Sequence, residues 1–457
     1  MITIRTDSRK IKPGDTFVAV KCAVNDGHKY IDKAIEKGAT KIIAEEGTYS
    51  VETEIVSDSR KHLEDLLKTT YSYVFDKIKL IGITGTNGKT TTAYMIHDAL
   101  NKLNKKCAYI GTIGYYINEK ICSLPNTSPD LADLYELIVD AYDNGCEYVV
   151  LEASSQGLDG GRLNGLEFDY ALFTNLTQDH LDHHKTMENY ALAKKMLFDA
   201  LKENGTAILN YDDEAKHYYV KPNTIYYGFN GGDYQITDFK LTPHSSTFTY
   251  KNNSIDTTIN INIPGKHNIY NALTTLIVLD ILGESKENII SVMPKLKAPD
   301  GRMDTIKYNN NSIIIDYAHT PDAVEKIINT AREMTTGNIY TVFGCTGDRD
   351  RTKRPIMTEI VTNLSTQAII TIDDLHNEDA NQIVSDMLEG LKNTNYEICL
   401  DREKAIEIGI NYLKDNDVLL ILGKGHEEFI IVKDEKIPFN DKKVASKIID
   451  EKLKVTN

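Results

Sequence analysis

Two glycines followed by Lys-Thr, set between an apolar run and a helical pattern, are equipped to hold phosphate. The segment is Gly85-Thr86-Asn87-Gly88-Lys89-Thr90-Thr91. Its glycines let backbone N–H groups curl toward an anion, and the N-terminus of the following helix adds a favourable partial charge. Lys89 is expected to reach the β- and γ-phosphates of ATP, and the Thr90 hydroxyl to coordinate Mg²⁺. The commonest phosphate loop has a first glycine where this chain has Ile83. The plainer reading is a glycine turn with a solvated lysine; the flanking strand and helix weigh against it.

Three segments downstream suggest a metal and carboxyl-activation site. They are Glu152-Ala153-Ser154-Ser155-Gln156-Gly157-Leu158, Phe173-Thr174-Asn175-Leu176-Thr177-Gln178-Asp179-His180-Leu181-Asp182-His183-His184, and a helical stretch from Tyr190 to Phe198 that carries Lys194. Glu and His at strand ends are natural ligands for a divalent cation beside phosphates. Taken alone, Lys194 beside Lys195 reads as a solvated helix residue, and the histidines as surface groups or a zinc cluster. Cys345, with no partner His implied nearby, reads as a small buried filler rather than a nucleophile.

The elements that must carry these residues follow from the apolar runs. Residues 78–83 read as a buried strand leading into the phosphate loop, and 91–103 as the helix after it. Further strands are expected at 148–151 and 170–173, then at 312–316, 339–343, 368–371 and 418–422. Near the N-terminus, Ala19-Val20 and 41–44 read as short strands and 30–38 as a helix ended by its glycine. Strands alternating with helices argue for α/β architecture with parallel sheets. We expect three domains, over 1–77, 78–302 and 303–457.

The 457 residues carry a net charge of -15, which argues against nucleic acid as a partner. A few focused cations and N–H groups can still bind small anions. No run of about 18 apolar residues appears, and the first residues lack a secretory pattern. Six scattered cysteines without a CxxC pair read as reduced thiols of a cytoplasmic protein. A membrane partner is not expected.

With these motifs in order, the chain resembles the Mur ligases, the ATP-dependent amino-acid ligases of peptidoglycan synthesis, and is most similar to the MurE branch. Further carriers of the resemblance are Asp7-Ser8-Arg9, Asp26-Gly27-His28, Pro264-Gly265-Lys266-His267-Asn268, Gly301-Arg302-Met303, Asp316-Tyr317-Ala318-His319-Thr320-Pro321, Gly347-Asp348-Arg349-Asp350 and Gly423-Lys424-Gly425-His426-Glu427. The resemblance implies a three-domain fold with a central P-loop ATPase domain and a C-terminal Rossmann-like domain. It implies Glu152, His180 and a CO₂-derived carbamate on Lys194 as metal-site groups, the carbamate requiring an uncharged amine first. It implies that Asn268, Asn271, Arg302 and Asp316 hold the nucleotide. Ser8, Thr127, Ser128, Ser154 and Arg162 match positions that hold the UDP-linked muramoyl dipeptide, and Arg349, Gly423 and Glu427 match positions that hold a free amino acid. A monomer is expected.

Two departures bear on substrate. Diaminopimelate-adding members carry Asp-Asn-Pro-Arg where this chain reads Asp373-Asp374-Leu375-His376. His lacks the bidentate fork that grips a carboxylate, and Asp374 adds negative charge. Both changes point away from meso-diaminopimelate and toward a side chain with an amine. Gly160 stands where a polar residue commonly faces the UDP-linked substrate, which keeps open a ligase of a specialised peptide pathway. A P-loop motor or kinase would leave the Lys194 segment unexplained, and a non-catalytic nucleotide-binding scaffold would have no use for so complete a set of site residues.

Overall fold

The computed structural model describes residues 3–21, 26–242 and 244–456, so Cys22 lies outside the described residues. Among these residues Cys107, Cys122, Cys146, Cys345 and Cys399 are free thiols, and no helix is long and apolar enough to cross a membrane. The apolar runs form the strands Lys79–Thr84, Tyr148–Glu152, Phe168–Phe173, Asn311–Asp316, Ile339–Cys345, Gln367–Ile372 and Val418–Leu422. Most of their residues are buried, as expected of parallel sheet covered on both faces.

The contacts divide the chain into two compact units. The first comprises Met1–Gly82, Lys105–Ala171 and Ala193–Thr206. It opens with a parallel sheet of Ile4–Arg5, Thr16–Val18, Lys41–Ala44 and Glu52–Ile55, in that order. Phe17, Ile42 and Ala44 from these strands pack on Ile31 and Ala34 of the helix Ile31–Glu36. The strand expected at Ala19-Val20 runs instead over Thr16–Val18. Ala19 N–H still reaches the Ile43 carbonyl at 2.9 Å, but the Val20 carbonyl turns away to accept from Gly27 N–H at 3.0 Å.

The second unit comprises Ile83–Asn104, Leu172–Leu192 and Ala207–Asn457. Its phosphate-loop helix spans Lys89–Lys102, two residues earlier than expected, because Gly88 at φ 86 supplies the left-handed turn just before it. The expected parallel pairing is found in the first unit between Cys107–Gly111 and Tyr148–Glu152, whereas Tyr234–Leu241, Ser246–Asn252 and Ile255–Ile261 of the second unit pair antiparallel.

Residues 304–422 add a six-stranded sheet in which Val418–Leu422, late in the chain, sits between Asn311–Asp316 and Ile339–Cys345. The strand order reverses there, so the loops after four parallel strands open at one end of the sheet. Those loops begin at Tyr317, Thr346, Asp373 and Gly423. Its two faces bury Ile314, Phe343 and Leu420 on one side and Ile313, Val342 and Leu419 on the other.

Candidate active site

The phosphate turn is shaped by a neighbouring loop that the sequence reading placed in a metal and carboxyl-activation segment, not against this turn. Thr174 and Asn175 follow the strand Phe168–Phe173. Asn175 accepts from Asn87 N–H at 3.0 Å, donates to the Asn87 carbonyl at 3.0 Å, and its carbonyl accepts from Thr86 N–H at 2.8 Å. Thr174 Oγ1 donates to the Asn87 carbonyl at 2.7 Å. Thr86 Oγ1 donates to the Thr177 carbonyl at 3.1 Å and accepts from Thr177 N–H at 3.0 Å. Lys89 curls back over the turn, its Nζ donating to the carbonyls of Gly85 at 2.9 Å and Thr86 at 2.8 Å.

Gly85 has φ 147, and a Cβ there would fall on Thr174 Oγ1. Gly85→Ala is therefore expected to weaken ATP binding by about tenfold or more, since strain of this kind costs about 1–3 kcal/mol. Calorimetric titration with ATP checks it; unchanged affinity would show that the turn tolerates a side chain.

On the helix Lys266–Ile281, Asn268 and Asn271 lie one turn apart on one face. Asn271 Nδ2 donates to Asn268 Oδ1 at 3.1 Å, and Asn271 Oδ1 accepts from Thr92 Oγ1 at 3.1 Å. A Cβ on Gly88 would come within 2.9 Å of Asn271 Oδ1, so this pair abuts the phosphate turn. Asn87 is engaged from another direction: its Nδ2 donates to Asp322 Oδ2 at 2.7 Å. Asp322 opens the helix Pro321–Met334, and its position was not legible in the sequence.

Arg302 stacks on the Tyr317 ring at 4.6 Å, and its Nε is buried with no hydrogen-bond partner. Asp316 is fixed nearby, accepting from Met303 N–H at 2.8 Å, and burial pushes its carboxyl up against the opposing charge of Arg302. His180 adopts the left-handed conformation at φ 54. Its ring lies 3.4 Å from Asp179, which also faces Lys353 at 3.6 Å. Burial raises the Asp179 carboxyl, but His180, Lys353 and His319 outweigh it and hold it at about 2. His184 is buried and stacks on Tyr190 at 5.0 Å, a packing role.

In the first unit, Glu152 is buried at the end of its strand. Its carboxylate accepts from Tyr109 Oη, from Thr112 N–H at 2.9 Å and from Thr112 Oγ1 at 3.1 Å. Thr112 Oγ1 lies 3.1 Å from Thr127 Oγ1. Ser128 Oγ donates to the Glu152 carbonyl at 2.9 Å and lies 3.0 Å from Ser154 Oγ. Ser154 caps the short helix Ser155–Asp159, and Arg162 donates to the Ser128 carbonyl at 3.2 Å. Glu152, Thr127, Ser128, Ser154 and Arg162 thus form one bonded group. Ser8 is buried in its own turn, Ser8–Lys10, outside that group. The Gly160 carbonyl accepts from Arg60 at 2.8 Å.

Lys194 is 1% exposed on the helix Met187–Asp199, so the solvated reading fails for it; Lys195 is the surface residue, paired with Asp199 at 2.6 Å.

At the open end of the six-stranded sheet, Lys424 is the centre of a cluster, although its side chain was given no role from sequence. Its Nζ lies 2.7 Å from Asp374, 2.7 Å from Glu427 and 3.4 Å from Asp373. Burial works against the Lys424 charge, but the three carboxylates outweigh it and raise its pKa above the ordinary value. Burial also lifts Glu427 to about 7, with Lys424 opposing. The negative charge expected from Asp374 is therefore not bare, because Lys424 and the Ile431 N–H, at 2.9 Å, both bond it. Gly423, at φ 111, packs directly on Asp373. His376 is half-buried at φ 48 on a loop whose backbone bonds Ile431 and Lys433. Arg349 is exposed. Cys345 is buried, its thiol pushed up to about 12 by burial, which fits an inert filler.

Residues 2–72 match the Mur ligase family catalytic domain, 83–279 the Mur ligase middle domain, and 301–425 the Mur ligase glutamate ligase domain. The chain is 41% identical over 461 residues, 98% of this chain and 95% of the relative, to a UDP-N-acetylmuramoyl-L-alanyl-D-glutamate--2,6-diaminopimelate ligase of Clostridium botulinum. A protein of the same name from Fusobacterium nucleatum is 41% identical over 466 residues, covering 99% and 95% of the two chains. A solved structure with that name superposes with a TM-score of 0.69 at 30% identity, covering 99% of this chain and 95% of the other. A phosphate turn ending in Lys89, buttressed by Thr174 and Asn175 and abutted by a paired Asn268 and Asn271, thus stands in a chain matched along its length, which belongs to the Mur ligase family of ATP-dependent ligases.

Proposed function

We propose that the chain ligates a free amino acid to the D-Glu carboxylate of UDP-N-acetylmuramoyl-L-alanyl-D-glutamate in peptidoglycan synthesis. We further propose that this amino acid carries a side-chain amine and is not meso-diaminopimelate. The first part rests on the names of relatives 41% identical over nearly the whole chain. The second rests on one observation: the position that would grip a distal carboxylate holds the half-buried His376 rather than an arginine. The carboxylate cluster around Lys424 fits a cationic side chain better than an anionic one. The relatives' names favour diaminopimelate, which is the competing reading. Residues 1–77 would serve the UDP-linked substrate, 78–302 ATP and 303–457 the amino acid, in a cytoplasmic monomer.

The residues present fit ATP and Mg²⁺. Side chains at Gly85 or Gly88 would fill the cradle, and the buried Arg302 Nε lacks a partner. Gly85 to Thr91, Asn268, Asn271, Arg302 and Asp316 would hold the nucleotide. Thr90, Glu152, His180 and a carbamate on Lys194 offer oxygen and nitrogen donors suited to Mg²⁺. Bound Mg²⁺ would neutralise phosphate charge as two anions meet. Lys89 and the turn N–H groups carry the same burden for the γ-phosphate. A substrate carboxylate oxygen attacks the γ-phosphorus, ADP leaves, and an acyl phosphate forms. The incoming amine attacks the acyl carbon, phosphate leaves, and the amine loses a proton. Water must be kept from the acyl phosphate throughout.

Purified protein with ATP, Mg²⁺, the UDP-linked dipeptide and single amino acids tests the reading by product mass and phosphate release. A basic monocarboxylic amino acid such as L-lysine is expected to exceed diaminopimelate in kcat/KM by about tenfold or more, the worth of one charge-assisted bidentate grip. His376→Arg should narrow that gap. Preference for diaminopimelate would sink the specificity; no product with any amino acid would sink the acyl substrate and favour a specialised pathway.

A further inference from the structure

The loops carrying Arg349 and His376 are joined by a buried ion pair that lies outside the pocket residues. Arg354, 1% exposed on the helix Lys353–Leu364, grips Glu378 with both arms of its guanidinium, at 3.0 and 2.9 Å. The same guanidinium donates to the Thr346 carbonyl at 3.2 Å and to Asp386 at 2.7 Å. Glu378 in turn accepts from Asp348 N–H at 2.6 Å and pairs with Arg351 at 2.9 Å. Two more bonds close the join: Asn377 Nδ2 to Asp348 at 2.7 Å, and Gly347 N–H to the Asp374 carbonyl at 2.7 Å.

We propose that Glu378 is a positioning residue for amino-acid recognition, which with Arg354 fixes the loop of residues 346–352 against the loop of residues 373–379. The proposal rests on the reading of these loops as the amino-acid pocket. Arg349 lies one residue from Asp348, and His376 two from Glu378, so the fork sets the separation of side chains that touch no common partner. Besides Asp386 and Arg351, the pair bonds loop backbone at Thr346 and Asp348, on the segment that carries Arg349. A well-packed apolar pair would hold a core at least as well, so the fork's geometric exactness is what the site gains. Charge on Glu378 persists across the working range: the Arg354 hydrogen bonds, aided by Asp348 N–H and Arg351 against desolvation, hold its carboxyl at about 2.

The test compares Glu378→Gln, Glu378→Ala and Glu378→Asp with the native protein under steady-state turnover. KM for the amino acid accepted by the native protein is expected to rise about tenfold or more in Glu378→Gln, equal to the loss of about 1.4 kcal/mol of binding. KM for ATP and for the UDP-linked substrate should stay within about twofold. Glu378→Asp, which keeps the charge, should recover part of the loss. Thermal melting of each variant separates this from unfolding, and Glu378→Gln, being isosteric, serves if Glu378→Ala does not fold. A parallel rise in all three KM values, or none in that for the amino acid, overturns the proposal. Arg349→Ala and His376→Ala give the control. If neither raises the amino-acid KM, the pocket reading falls and the proposal with it. If either does while Glu378→Gln does not, the proposal alone falls.

Discussion

Lys89→Ala is expected to lower kcat/KM for ATP-dependent ligation by about a thousandfold or more, roughly 4 kcal/mol of transition-state stabilisation. The chemistry brings a carboxylate to a polyphosphate, so the barrier is mainly electrostatic, and a cation aimed at the γ-phosphate acts most strongly as charge spreads over its oxygens. In the structure Lys89 Nζ lies over the turn, on the carbonyls of Gly85 and Thr86. Those two bonds fold the ammonium back over the turn, close to where a phosphate held by the turn would lie. Lys89→Arg should not rescue, because a planar fork cannot occupy the place of a compact ammonium. Phosphate release is the measurement, with thermal melting to show that the fold persists. Activity within tenfold of the native protein would mean that the turn binds something other than the reacting nucleotide.

If Lys194 bears the proposed carbamate, Lys194→Ala is expected to have an effect of similar size, roughly a thousandfold, by removing a proposed metal-site group. The two lysines that begin alike in sequence end in opposite surroundings: Lys194 is buried, while Lys195 is half-exposed and paired with Asp199. An ammonium buried in a helix facing the interior is costly, and conversion to a carbamate gives that position a use, since it turns a cation into a bidentate anion. Two readouts follow besides turnover. Native activity should fall in CO₂-depleted buffer and return with bicarbonate. ¹³C-bicarbonate should give a carbamate resonance that Lys194→Ala lacks and Lys195→Ala keeps. A native protein indifferent to bicarbonate, with no such resonance, would rule out the carbamate.

The relation between sequence and structure differs element by element. The strands over 312–316, 339–343, 368–371 and 418–422 were legible because each is a short apolar run bounded by polar residues, and a buried parallel strand needs little else. The expected strand at Ala19-Val20 slipped to Thr16–Val18 because pairing with Lys41–Ala44, not local composition, decides where a ladder ends. Lys194 was misread when taken alone, since one lysine beside another carries no local mark of burial.

What the sequence determined by itself was chemistry confined to a few consecutive residues. The left-handed turn at Gly88, the lysine and threonine behind it and the strand before it are set by backbone sterics and local periodicity. The His376 departure was equally legible, because a missing guanidinium needs no coordinates to be noticed. Only the tertiary structure decided which distant residues meet. Thr174 and Asn175 shape the phosphate turn, Asp322 bonds Asn87, Lys424 sits among Asp373, Asp374 and Glu427, and Arg354 clamps Glu378. All but the Asn87–Asp322 bond join segments brought together by strand order, above all by Val418–Leu422 entering between Asn311–Asp316 and Ile339–Cys345. Strand order is set by the summed burial of whole sheet faces, a quantity that no local pattern of residues contains.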